Sequence, residues 1–230
     1  MDGLRSLRSS ACLGVPVVEI KFCGLTRARD AALAATLGAA YVGVIFAGGP
    51  RRLDAVQARE VFAGLEGSHV RRVGVFGAQS IAEIARDADA LALDVVQLHS
   101  EATPTRVSEL HRSWDGEVWA VVGVAGGALP DASPLVGVAE GVVIDSVFGG
   151  RSGGTGTSFA WSLVAPSLAP LRGRLRLVVA GGLKPMNVAE AVSVLAPDVV
   201  DVSSGVELAP GIKDPQLMRA FAAAIRSREE

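Results

Sequence analysis

Side chains that can move or hold a proton recur at the ends of several short apolar runs. Lys21 and Cys23 end the run at 17–23. Gln97 and His99 end the run at 94–99, Asp145 ends 141–145, and Asp201 and Ser203 end 199–203. Alternate residues of a strand share a face. Glu19, Lys21 and Cys23 therefore share one face, and Val18, Ile20 and Phe22 share the other. The same alternation groups Val95 with Gln97 and His99, Val143 with Asp145, and Asp201 with Ser203. Polar groups are costly to bury unless they are paired or face a pocket. One such residue would mean little, but together they point to a site that can transfer protons. Taken alone, each has a plainer reading. Cys23 would be a small buried hydrophobe, and Asp145 a helix cap or a structural ion pair. His99 reads as a pocket-wall residue, and Gln97 as a structural or substrate-orienting group. Asp201 divides evenly between orienting the site and pairing inside the fold. Glu19 sits lower on its strand and reads as structural.

The elements that must position these residues alternate along the chain. Strand candidates lie at 17–22, 41–46, 70–76, 94–98, 117–122, 141–145, 175–180 and 199–203. Helical spacing of apolar residues marks 27–37, 54–65, 79–89, 103–113, 159–168, 185–195 and 214–227. The segment 129–139 is the weakest helix, because Pro130 and Pro134 interrupt it. Repeated strand–helix units predict a parallel sheet. A unit length of about 27 residues fits eight units in a closed (β/α)8 barrel, a TIM barrel of the α/β class. The competing open doubly wound sheet would want a Gly-x-Gly-x-x-Gly turn after its first strand. Cys23-Gly24-Leu25-Thr26 does not supply it. The expectation is one barrel domain over 17–230, preceded by a loose tail over 1–16.

Barrel sites form at the C-terminal ends of the strands, which is where the polar residues fall. Glycines add a second signal. Gly153, Gly154 and Gly156 follow the sixth strand, Gly181-Gly182 the seventh, and Ser203-Ser204-Gly205 the eighth. Loops after the last two strands are the usual phosphate cradle of this fold. The stretch 205–207 is a candidate for the short helix of such a cradle, and 147–156 for a lid.

Composition narrows the function classes. The 230 residues are 50% hydrophobic, with a formal net charge of −2. No basic stripe with interleaved aromatics points to nucleic acid, and no apolar run approaches a membrane span. Two cysteines, Cys12 and Cys23, are too few for a disulfide framework and have no metal-ligand spacing. The apolar stretch after Arg5 and Arg8 is broken by Gly14 and Pro16, so no signal peptide is expected. A cytoplasmic protein is the default.

From Val18 onward the chain resembles the phosphoribosylanthranilate isomerases of tryptophan biosynthesis. The residues that carry the resemblance run from Lys21-Phe22-Cys23-Gly24-Leu25-Thr26 through Val73-Gly74-Val75-Phe76 and Val96-Gln97-Leu98-His99. They continue through Gly153-Gly154-Thr155-Gly156 with Phe159 and Trp161, then Ala180-Gly181-Gly182-Leu183 with Pro185, Asn187 and Val188. The last motif is Asp201-Val202-Ser203-Ser204-Gly205-Val206-Glu207, closing on Gly211, Lys213 and Asp214.

The resemblance implies an Amadori rearrangement of N-(5-phosphoribosyl)anthranilate that needs no cofactor and no metal. Cys23 would be the general base and Asp145 the general acid. Arg51 would hold the anthranilate carboxylate, with Gln97, His99, Gly154 and Asp201 completing the substrate site. Gly181, Gly182, Ser203, Ser204 and Gly205 would hold the phosphate. The implied partner is this small phosphosugar, bound by a monomer or a homodimer.

Three positions depart from the family pattern. Gly49-Pro50-Arg51 has Gly where the family has Ser, in a loop one residue short, which makes Arg52 the alternative clamp. Ser100 replaces a Gly, and Ala160 an Asp. Independently of the family, strand alternation puts Lys21 where its charge would lower the Cys23 pKa, unless it is occupied by Glu19 or Asp201. Two other readings compete. A histidine-pathway isomerase would want paired Asp residues and a second phosphate loop, but the first-strand position is Cys23. A silent phosphosugar-binding protein would not need Cys23 and Asp145.

Overall fold

The computed structural model describes residues 17–125, 127–148, 151–152 and 159–227. The expected tail over 1–16 and Gly154 lie outside the described residues. The chain alternates β1 (Glu19–Phe22), α1 (Ala28–Thr36), β2 (Tyr41–Ile45), α2 (Ala55–Ala63), β3 (Arg71–Phe76), α3 (Ile81–Ala90), β4 (Val95–Leu98) and α4 (Pro104–His111). It continues with β5 (Glu117–Val124), β6 (Gly141–Phe148), α5 (Trp161–Leu168), β7 (Arg176–Val179), α6 (Val188–Leu195), β8 (Val199–Val202) and α7 (Pro215–Arg226).

All eight strands pair in parallel, each with its two neighbours, and β1 against β8 closes the ring. Across that seam Lys21 stands opposite Asp201. The expected barrel is therefore present. The residues at 129–139 do not form an α-helix. Pro130 and Pro134 leave a single 3-10 turn at Ser133–Leu135. The fifth and sixth strands run further than expected, because their pairing continues from Val121↔Val143 to Val124↔Ser146.

Local chemistry sets the helix starts. Asp54 and Ser80 each accept a backbone N–H of the first turn, with Gln57 and Glu83 bonding back as capping boxes. Asp214 caps α7 ahead of Pro215 at its first position. The apolar strand faces pack outward against the helices, while a smaller core of Tyr41, Val73, Val95, Trp119, Val143, Val178 and Val199 fills the barrel. Its N-terminal end is closed by charge pairs. Arg71 donates to Glu117 at 3.0 Å, and Arg176 pairs with Glu19. Glu19 is thus structural, as its low position on β1 predicts. Trp114, Trp119 and Trp161 are all buried packing residues.

Candidate active site

The C-terminal ends of the strands open into a cavity of about 630 Å³. Cys23, Arg51, Gln97, His99, Asp145, Gly181, Gly182, Asp201, Ser203, Ser204 and Gly205 all line it. Every sequence-predicted site residue that the structure describes is therefore in one place.

Cys23 continues β1, with its N–H donating to the Val202 carbonyl at 2.9 Å. Gly43 on β2 makes room for it, since a Cβ there would lie 3.0 Å from the Cys23 Sγ. Beneath the thiol, Lys21 Nζ donates to Asp201 Oδ2 at 2.7 Å, and no part of Lys21 reaches solvent. Burial pushes the Cys23 thiol up; Lys21 pulls it down and Asp201 raises it again, leaving it above its ordinary value. The expected lowering by Lys21 operates, but desolvation outweighs it. Burial would lower the Lys21 pKa, but Asp201 and Cys23 raise it more, so Lys21 stays charged.

Asp145 is 7% exposed, and its Oδ1 has no hydrogen-bond partner among the described residues. Burial and the nearby Asp201 carboxylate push its pKa up to about 6, against smaller downward pulls from Ser146 and Lys21. Gly181 follows β7 with φ +82°, and a Cβ there would meet Ser146 N at 2.6 Å and Asp145 Oδ1 at 2.8 Å. Only glycine lets this loop cross so close to the carboxyl group. After β8 the expected short helix is a single 3-10 turn, Ser204–Val206, one residue earlier than 205–207. Its Gly205 packs on the Leu183 carbonyl, so the two glycine loops line one side of the cavity together.

Arg51 lines the cavity beside the loop after β8, since a Cβ on Gly24 would touch both the Arg51 Cδ, at 2.7 Å, and the Ser203 Oγ, at 2.9 Å. Its Nε and Nη2 donate to Glu207, the latter at 2.6 Å to Oε2. The loop of Gly48, Gly49 and Pro50 carries it there, while Arg52 is exposed and outside the cavity. The short loop therefore keeps Arg51, not Arg52, at the site. Gln97 Oε1 and Asp201 Oδ1 are buried acceptors without partners among the described residues. His99 is held by its backbone, whose N–H donates to the Phe76 carbonyl at 2.8 Å. Among the described residues, no three His, Cys, Asp or Glu side chains are grouped to hold a metal ion.

Residues 20–224 match the family model of N-(5'-phosphoribosyl)anthranilate (PRA) isomerase. The chain belongs to the PRA isomerase family. An N-(5'-phosphoribosyl)anthranilate isomerase of Acidithiobacillus ferrooxidans is 40% identical, over 92% of this chain and 99% of its own. That of Stutzerimonas stutzeri is 38% identical, over 93% and 99%. The crystal structure of the phosphoribosyl anthranilate isomerase from Thermus thermophilus superposes with a TM-score of 0.79 at 34% identity, over 92% of this chain and all of that one. A further family structure, 31% identical with a TM-score of 0.73 over 91% and 99%, is a complex with reduced 1-(o-carboxyphenylamino)-1-deoxyribulose 5-phosphate.

Within this PRA isomerase fold, some site residues escaped the sequence reading. Gly43 and Ser146 were not singled out, and Glu207 and Lys213 appeared only as motif letters. Lys213 Nζ bonds Glu207 Oε1 at 2.7 Å and the Ser203 carbonyl at 3.0 Å. One signal for it was available. The chain has three lysines, Lys21, Lys184 and Lys213, among 22 basic residues. Two of the three are sealed from solvent under the cavity.

Proposed function

We propose that this cavity carries out the Amadori rearrangement of N-(5-phosphoribosyl)anthranilate, with Asp145 as general acid and Cys23 as general base. As a member of its family the chain is an isomerase of L-tryptophan biosynthesis. In the proposed sequence Asp145 protonates the furanose ring oxygen, and the C1′–O bond breaks to give an iminium. Cys23 then removes the proton on C2′, and the resulting enolamine tautomerises to the ketone, 1-(2-carboxyphenylamino)-1-deoxyribulose 5-phosphate. Proton transfers of this kind contribute roughly 10²–10⁴ each.

The observation that carries the reading is the Asp145 carboxyl, buried in the same cavity as Cys23 with its pKa pushed up to about 6. A carboxyl whose pKa is lifted toward neutrality keeps a proton to donate on a fraction of molecules there, where an ordinary aspartate has almost none. The cavity also has a cation, Arg51, and two glycine loops, Gly181-Gly182 and Ser203-Ser204-Gly205, which suit a substrate with a carboxylate and a phosphate. The partnerless oxygens of Gln97 and Asp201 suit ribose hydroxyl donors. For assembly the proposal allows a monomer or a homodimer, a dimer being named for the Thermotoga maritima relative. The test is the fluorescence decay of phosphoribosylanthranilate on adding purified protein. No turnover of that compound, with activity on the histidine-pathway aminoaldose instead, would sink the reading.

A further inference from the structure

Arg51 and the loop after β8 are joined beneath the cavity surface through Glu207 and Lys213. Glu207 grips Arg51 with both oxygens, accepting Nε at 2.9 Å on Oε1 and Nη2 at 2.6 Å on Oε2. The same Oε1 accepts Lys213 Nζ at 2.7 Å. Lys213 also donates to the Ser203 carbonyl at 3.0 Å, where the loop after β8 begins. Glu207 is 4% exposed in its side chain and Lys213 is 0% exposed. Their backbone placement is fixed, because Glu207 and Lys213 stand opposite each other in a short antiparallel ribbon. The Gly211 N–H donates to Glu207 Oε1 at 3.2 Å, and Thr26 Oγ1 donates to the Gly211 carbonyl at 2.6 Å. A Cβ on Gly24 would lie 2.7 Å from the Arg51 Cδ, so glycine there admits the arginine stem.

Arginine is a long side chain with much rotamer freedom, and a bidentate carboxylate removes that freedom before substrate arrives. Two basic side chains share one carboxylate, and burial pulls the Lys213 pKa down against the opposing effect of Glu207. Glu207 itself is absent from the cavity wall.

We propose that Glu207 is a positioning residue for substrate specificity, fixing the Arg51 guanidinium to meet an aromatic carboxylate. This rests on the PRA reading of the cavity and deepens it. Recognition of the carboxylate then depends on a side chain that does not touch the substrate.

The experiment compares phosphoribosylanthranilate with its analogue lacking the carboxylate, N-(5-phosphoribosyl)aniline, on wild type and Glu207→Gln. Glu207→Gln raises KM for the carboxylate substrate roughly tenfold, with kcat within about threefold. For the aniline analogue the two proteins have the same KM. In an Arg51→Ala background Glu207→Gln adds nothing, because the two residues act as a unit. An equal KM rise on both substrates, or no rise on either, overturns the proposal. Should Glu207→Gln fail to fold with Lys213 left unpaired, Glu207→Gln with Lys213→Met removes the stranded charge and undergoes the same comparison. Wild type that does not turn over phosphoribosylanthranilate refutes the proposed function instead, so the two failures are distinct.

Discussion

Lys21 Nζ lies 2.7 Å from Asp201 Oδ2 across the β1–β8 seam, two residues before Cys23. Lys21 is sealed from solvent, while Asp201 reaches the cavity with only 7% of its side chain exposed. The Lys21 cation still acts on the thiol, opposing the burial that pushes the Cys23 pKa up. Lys21→Met should therefore make the thiol harder still to ionise. Iodoacetamide alkylation against pH, in a Cys12→Ser background, reads this directly. The variant should also lose about 3–5 kcal/mol of stability, because Asp201 is left as an unpaired buried charge. An unchanged alkylation profile would remove Lys21 from the account of Cys23.

Cys23→Ser and Asp145→Asn should each lower kcat by about 10²–10⁴ while leaving the far-ultraviolet circular dichroism unchanged. Serine is far too weak an acid to ionise in that setting, and asparagine has no proton to donate. A near-normal kcat in either variant contradicts the assigned role.

The pH dependence follows from the acid and base together. The working form has Asp145 protonated and Cys23 ionised. Asp145 titrates at about 6, and the buried thiol titrates higher. Below about 6 the working fraction rises with pH as the thiol ionises. Between the two values, loss of the Asp145 proton and gain of thiolate cancel, and above the thiol value activity falls. The kcat/KM profile should be a bell with its acidic limb at about pH 6. Absence of that limb would mean that Asp145 is not the acid.

The same shift makes a stability prediction. Folding raises the Asp145 pKa from 3.8 to about 6. The folded chain therefore binds this proton more tightly than the unfolded one. The stabilisation is complete below about 4 and is lost as pH rises through about 6, a change on the order of 3 kcal/mol. Relative to Asp145→Asn, wild type should be more stable in urea at about pH 4 than at about pH 8 by up to that amount. A constant difference between the two proteins across this range would contradict the shift.

Gly43→Ala would place a methyl carbon 3.0 Å from the Cys23 Sγ. The thiol must give way, and a displaced base costs rate more than affinity. A fall in kcat of roughly tenfold with little change in KM is expected, at a stability cost of about 1–3 kcal/mol. Arg51→Ala, by contrast, should mainly raise KM, and Arg52→Ala should change neither parameter, since Arg52 is outside the cavity. An Arg52 effect in steady-state kinetics would move the clamp by one residue.

Much of this arrangement is local and so is legible in the chain. A strand repeats every two residues, and the polar residues at its C-terminal end must face a barrel mouth. That logic places Cys23, Gln97, Asp145 and Asp201 without any knowledge of contacts. The glycines at 181, 182 and 205 mark loops where the backbone itself lines a surface. The weakness of 129–139 is likewise visible in Pro130 and Pro134, although the 3-10 turn that replaces the helix is not.

What tertiary structure alone decided is how the charges pair and what burial does to them. Lys21 chose Asp201 over Glu19, a partner 180 residues away that is adjacent only because the barrel closes. Arg51 meets Glu207 across 156 residues of chain and Lys213 joins them, and no spacing in the sequence announces the cluster. Pairing and desolvation depend on distances in space, so the direction of the Cys23 shift could not be read from Lys21 being two residues away. The sequence by itself determined which groups stand at the mouth of the barrel. Closure of the barrel determined which of them are charged, paired or free to act.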